Sequence, residues 1–103
     1  MDLSLDVQRG EDSATVVVVG EVDLNTSEEL KQTLVGLAEE YDVVSADLSR
    51  LEFIDSTGLS ALLAAHKTLS RKGGRLELRR PPRMLVKMVD VVGLDDVLLL
   101  LPE

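Results

Sequence analysis

The segment Ala14-Thr15-Val16-Val17-Val18-Val19 is a continuous run dominated by β-branched residues, and no other stretch constrains the fold as strongly. Valine and threonine lose side-chain freedom in a helix and fit the pleated surface of a sheet, so the run predicts a strand. Its lack of apolar and polar alternation predicts a strand buried on both faces. Upstream, Leu3, Leu5 and Val7 alternate with Ser4, Asp6 and Gln8, the pattern of a strand with one wet face. The turn from Gly10 to Ser13 is short enough to join the two as a hairpin.

Downstream the period changes. Leu30, Leu34, Leu37 and Tyr41 recur at helical spacing, with Glu28, Lys31, Gln32, Glu39 and Glu40 mostly off that face. Thr26 and Glu29 have capping-box spacing, so a first helix is expected to begin near Thr26. Val43-Val44-Ser45-Ala46-Asp47-Leu48 reads as a third strand, and Phe53-Ile54 closes the loop before a second helix lined by Leu59, Leu62, Leu63, His66 and Leu69. That helix stops at Gly73-Gly74, after Arg71 and Lys72, cations suited to its C-terminus. Arg75 to Arg79 alternates as a fourth strand, Pro81-Pro82 breaks the chain, and Leu85, Met88, Val89 and Val92 fit a third helix ending at Gly93. Val97–Leu101 reads equally well as a last strand or a packed helical turn.

The order β-β-α-β-α-β-α predicts an α/β fold in which residues 1–103 form one small domain. Its sheet is expected to be mixed and mostly parallel, with four to five strands and about three to four helices. A chain of 103 residues suits a single domain, and its core must be aliphatic because Tyr41 and Phe53 are the only aromatic residues. That scarcity also removes any platform for stacking bases or sugars. Apolar runs such as Val16–Val19 and Val97–Leu101 fall far short of the ~20 residues of a membrane-spanning helix, so no membrane insertion is expected. An acidic, alternating N-terminus unlike a signal peptide, together with the lack of cysteine, leads to an expected cytoplasmic location.

The net charge of −8 is unevenly placed. The first 55 residues hold 14 acidic and 3 basic side chains, the remainder 5 acidic and 8 basic. An acidic half disfavours nucleic acid and suggests a protein partner with a basic contact surface, although acidic residues also serve solubility alone.

Functional residues of parallel sheets gather in the loops leaving the carboxyl ends of strands, which nominates Gly20–Asn25 and Asp55–Gly58. Ser56 reads as the N-cap of the second helix. Gly58 leaves little bulk over backbone N–H groups that lack an intrahelical partner, and such an end suits a phosphate. On Ser56 a phosphate would bring about −1.5 to −2 charges. The same residues also read simply as a helix start, with Gly58 admitting tight packing.

Asp55-Ser56-Thr57-Gly58-Leu59, preceded by Gly20-Glu21-Val22-Asp23, resembles the paired signatures of STAS domains, particularly those of bacterial anti-sigma factor antagonists. The resemblance spans nearly the whole chain, including Gly73-Gly74 and Val92-Gly93-Leu94. It implies that Ser56 is phosphorylated by an anti-sigma factor that is also an ATP-dependent serine kinase. Unphosphorylated, the antagonist would bind that factor and free its sigma factor; phosphorylation would end the binding and a phosphoserine phosphatase would restore it. Thr57 stands where many members have a second serine. On this basis Glu21, Asp23, Asn25, Asp55, Ser56, Thr57, Gly58 and Leu59 are the expected partner-binding residues. The alternative within the resemblance is a non-signalling STAS interaction subunit of a multiprotein scaffold or a lipid-transport complex.

Other chemistries find little footing. His66 reads as a packed core histidine: with no cysteine and no second histidine, zinc would need an unusual ligand set. As a hydrolase base it lies ten residues along the same helix from Ser56, roughly 15 Å by helical rise. Glu21, Asp23 and Asp55 could cluster around magnesium, but the lysine of phosphoacceptor receiver domains has no clear counterpart. There is no P-loop, so no metal, no cofactor and no enzymatic activity are expected. The basic residues from Lys67 to Lys87, spread over a helix end, a strand and a turn, read as solvated faces.

Overall fold

Residues 2–103 are described by a computed structural model; Met1, with which the one-domain expectation begins, lies outside the described residues. The elements in chain order are β1 (Leu3–Arg9), β2 (Ser13–Val22), α1 (Ser27–Glu40), β3 (Val43–Ile54), α2 (Ser56–Arg71), β4 (Arg75–Arg79), α3 (Arg83–Val91) and β5 (Leu99–Leu101). The strands form one sheet in the order β1-β2-β3-β4-β5, with β1 antiparallel to β2 and every other pair parallel. This is the mixed, mostly parallel sheet expected of the sequence. The ambiguous last segment contains a strand, with Leu78 opposite Leu100.

Each parallel crossover advances one strand in the same direction. Right-handed connections of that kind place all three helices on one face of the sheet. Against that face pack Leu30, Leu34 and Leu37 of α1, Leu62, Ala65 and Leu69 of α2, and Leu85 and Val89 of α3, all buried. The sheet contributes Ala14, Val16 and Val18, then Val44, Ala46 and Leu48, then Leu76 and Leu78. Each large aliphatic side chain so buried stabilises the fold by roughly 1.5–3 kcal/mol. The valine run is therefore not buried on both faces. Val17 and Val19 are only half-buried, because no helix lies over the side they occupy.

Two further expectations are corrected. β3 does not end near Leu48 but continues to Ile54, through the polar Ser49, Arg50 and Glu52, because β2 pairs with it to the end across two register shifts. α3 ends at Val91, and Val92 caps it as an exposed residue instead of belonging to its apolar face.

The open face of the sheet carries an ionic cluster. Glu77, only 7% exposed, accepts hydrogen bonds from Arg75 Nε, Arg79 Nη2 and the Ser45 hydroxyl, at 2.8, 2.8 and 2.9 Å. Arg75 foremost, then Arg79 and Ser45, hold its carboxyl down to about 2 against burial, which acts the other way. A carboxyl depressed on folding stabilises the fold above its unfolded value near 4.5, and that contribution is lost as pH falls from there through about 2. Urea unfolding at pH 6 and pH 2.5 should reveal a loss of a few kcal/mol at the lower pH that is clearly smaller in Glu77→Gln. Equal losses in the two proteins would show that Glu77 is not the group responsible. Beside this cluster Arg80, in a left-handed conformation with φ 51°, pairs with Asp47. Burial raises the Asp47 carboxyl, but Arg80 and Ser49 outweigh it and hold it below the usual range.

Candidate functional site

The long β2–β3 ladder brings Val22 opposite Ile54 at the carboxyl end of the sheet, where both chains leave for their helices. The Asp55 N–H donates to the Val22 carbonyl at 3.1 Å, so the two exits are fastened together. Gly20 and Glu21, expected in a loop, are still in β2; the loop proper is Asp23–Thr26. Gly20 has φ +108°, and its missing side chain lets the Asp2 carbonyl approach and accept from the Glu21 N–H at 3.0 Å. Glu21 is half-buried and lies opposite Phe53 in the ladder.

The Asp23–Thr26 turn is closed by its own polar groups. The Thr26 hydroxyl accepts from the Asp23 N–H at 2.9 Å and donates to the Glu21 carbonyl at 3.0 Å. Asp23 Oδ1 accepts from the Asn25 N–H at 2.9 Å, and the Asp23 carbonyl accepts from the N–H groups of Thr26 and Ser27 at 3.1 and 2.8 Å. Thr26 is the N-cap of α1 but makes no side-chain cap hydrogen bond, so the Thr26–Glu29 capping box does not form. Its hydroxyl has been taken by the turn behind it. The acidic Glu28 and Glu29 still favour the positive end of α1.

At the second exit Asp55 is the N-cap of α2, not Ser56, which is the first helical residue. Asp55 Oδ1 accepts from the N–H groups of Thr57 and Gly58 at 2.9 and 3.2 Å and from the Thr57 hydroxyl at 2.5 Å. The Thr57 hydroxyl foremost, helped by the Gly58 and Thr57 N–H groups, holds the Asp55 carboxyl below the usual range against desolvation, which acts the other way. Two of the N–H groups expected to be free for a phosphate are thus already occupied. Ser56 is exposed, and among the described residues no side-chain hydrogen bond engages its hydroxyl. Thr57 is half-buried and lines a cleft of about 230 Å³ between α1 and α2 with Ser27, Glu28, Lys31, Ser60 and Ala61.

Gly58 and Leu59 are buried, so they hold the site in place from beneath. A Cβ on Gly58 would lie 2.5 Å from Ile54 Cγ1 and 2.7 Å from Val22 Cγ1; the first turn of α2 rests directly on the two strand ends. Asn25 is exposed beside Leu24, which sequence reasoning missed: Leu24 is 76% exposed, and a lone leucine in a polar turn carries no periodic signal.

His66 is half-buried and not part of the core it was expected to join. Among the described residues no group of three or more histidine, cysteine, aspartate or glutamate side chains is arranged to hold a metal ion. No helix among them is long and apolar enough to cross a membrane. Of the basic stretch, Arg75 and Arg79 are engaged by Glu77, Arg80 by Asp47, and Lys72 donates to the Ala38 carbonyl at the end of α1. The surface at the carboxyl end of β2 and β3 carries the Glu21, Asp23 and Asp55 carboxyls and the Ser56 and Thr57 hydroxyls, with Lys31 in the adjoining cleft and Leu24 and Phe53 exposed. It suits protein contact and reversible modification better than bond-making chemistry.

Residues 5–102 match a family model described as Mlab, STAS domain. Over 98 residues the chain is 31% identical to the anti-sigma-B factor antagonist of Bacillus subtilis (strain 168), covering 95% of this chain and 90% of that protein. It is 29% identical over 98 residues to the intermembrane phospholipid transport system binding protein MlaB of Haemophilus influenzae, covering 91% of this chain and 93% of that protein. The crystal structure of an anti-sigma factor antagonist from Mycobacterium paratuberculosis superposes with a TM-score of 0.87 at 25% identity, covering 99% of this chain and 87% of that one.

Proposed function

The chain belongs to the STAS domain family, and we propose that within it the chain acts as an anti-sigma factor antagonist switched by phosphorylation of Ser56. Unphosphorylated, it binds an anti-sigma factor that carries serine kinase activity, and the bound sigma factor is released. Phosphate on Ser56 ends that binding, and a phosphoserine phosphatase restores it. The chain works by occupancy and not by catalysis, in the cytoplasm, where sigma factors meet RNA polymerase. Glu21, Asp23, Asn25, Asp55, Ser56 and Thr57 contact the partner or shape the contact, and Gly58 and Leu59 support them.

The observation that carries this reading is the difference between two adjacent hydroxyls. Ser56 is exposed and unengaged, whereas Thr57 is half-buried with its hydroxyl donated to Asp55 at 2.5 Å. A kinase approaching the acidic pole of the molecule meets Ser56 first. Incubation with ATP and the anti-sigma factor kinases of the same genome should place one phosphate on Ser56 by mass spectrometry. Ser56→Ala should abolish it and Thr57→Ala should preserve it; phosphate recovered on Thr57 would sink the assignment.

A second reading is favoured by the likeness to MlaB: a subunit of a lipid-transport complex that does not depend on phosphorylation. Stable co-purification with transporter subunits, unchanged in Ser56→Asp, would select it over the antagonist reading.

A further inference from the structure

Leu24 is 76% exposed, in a turn closed by its own hydrogen bonds. Asp23 and Thr26 close around it with hydrogen bonds to Glu21, Asn25 and Ser27 backbone groups, and the turn is tied through Val22 to Asp55 and so to the helix that bears Ser56. We propose that Leu24 is the apolar anchor by which the partner is gripped, entering an aliphatic pocket rimmed by basic groups on the anti-sigma factor. This inference rests on the antagonist reading and names the contact through which that partner is held.

Three observations carry it. Several polar atoms of Asp23 and Asn25 are spent inside the turn: Asp23 Oδ1 and its carbonyl are acceptors there, and the Asn25 N–H is a donor. The apolar group that the turn offers outward, beside the exposed Asn25 side chain, is the leucine. Because the backbone is already fixed, association orders only one short side chain, and a preorganised apolar residue is the kind that becomes an energetic centre of an interface. The strand end before it, the turn itself and the two helix starts tied to it carry Glu21, Asp23, Glu28, Glu29 and Asp55, against Lys31 as the one basic residue in the first two turns of α1. The complementary surface is therefore basic at its rim and apolar at its middle.

Val91, 84% exposed, supplies an internal comparison. α3 leaves the carboxyl end of β4 and runs back against the strand direction, so Val91 lies at the opposite end of the sheet from Ser56. Exposure alone does not distinguish the two residues; position on the Ser56 pole does.

The test uses the purified anti-sigma factor kinase that modifies Ser56, titrated calorimetrically with the full unmodified chain. Leu24→Ala should weaken the Kd at least about tenfold with the melting temperature unchanged. Leu24→Met should bind within about threefold of the parent and Val91→Ala within about twofold. A Leu24→Ala Kd within about twofold of a tightly bound parent overturns the inference and leaves the antagonist reading standing. A parent chain that binds no such kinase overturns both.

Discussion

Phosphorylated on Ser56, the chain should bind its anti-sigma factor at least about 100-fold more weakly than the unmodified form, a loss of ~2.7 kcal/mol or more. The reason lies in what Asp55 already does. Its ionised carboxylate holds the N–H groups of Thr57 and Gly58, so an incoming dianion next door finds those donors of the helix end taken. The phosphate must stay solvated beside another negative charge, and an interface closing over the pair must strip water from both, at a penalty on the order of several kcal/mol. The fold has little reason to suffer: charge at an exposed helix start is worth ~0.3–1 kcal/mol, which for a domain of this size moves Tm by less than about 8 °C. Ser56→Ala should fold and bind constitutively, and Ser56→Asp should lose part of the affinity. Were the phosphorylated protein to melt more than ~10 °C lower, loss of order in the domain, and not a change at its surface, would explain the loss of binding.

Gly20→Ala should be the most damaging single methyl addition near the site, costing on the order of 3–5 kcal/mol of unfolding free energy. Two penalties coincide there. The backbone at φ +108° is strained for any residue with a side chain, and the added Cβ would press into the Asp2 carbonyl oxygen, breaking its hydrogen bond with Glu21. Neither obstacle is the movable tip of a side chain. Gly73→Ala isolates the first penalty, since Gly73 has φ +78° and nothing within 4 Å of an added Cβ, and should cost only ~1–2 kcal/mol. Urea denaturation of both variants decides the matter: a Gly20→Ala loss no larger than that of Gly73→Ala removes the clash from the account.

Much of the fold was legible because its helices and most of its strands announce themselves by period. Leu30, Leu34 and Leu37 mark α1, and the valines mark β2. What escaped was decided by neighbours distant in sequence. The upper half of β3 carries Ser49, Arg50 and Glu52, which break any strand pattern, and only the ladder with β2 and its bulges makes it a strand. The covering of one sheet face follows from strand order, which no local pattern contains. At the site the residue types were readable and their roles were not. Asp55 and Ser56 are both good N-cap residues, and sequence cannot choose between neighbours. Thr26 has capping-box spacing with Glu29, but its hydroxyl is claimed by Asp23 and Glu21, a competition visible only once the turn is folded.

The contact of Gly58 with Val22 and Ile54 bears on timing. With no room for a methyl group beneath it, the first turn of α2 sits directly on the two strand ends, and modification of its exposed neighbour Ser56 leaves that packing untouched. A protein that signals through a moving helix answers with a relaxation of its own, often microseconds to milliseconds long, and can linger in the old shape after the signal has gone. Here the proposed signal would reside in a single covalent bond and leave no memory once that bond is cut. The lag between stimulus and response would then be set by partner dissociation and by the two modifying enzymes, with no delay added by the chain itself.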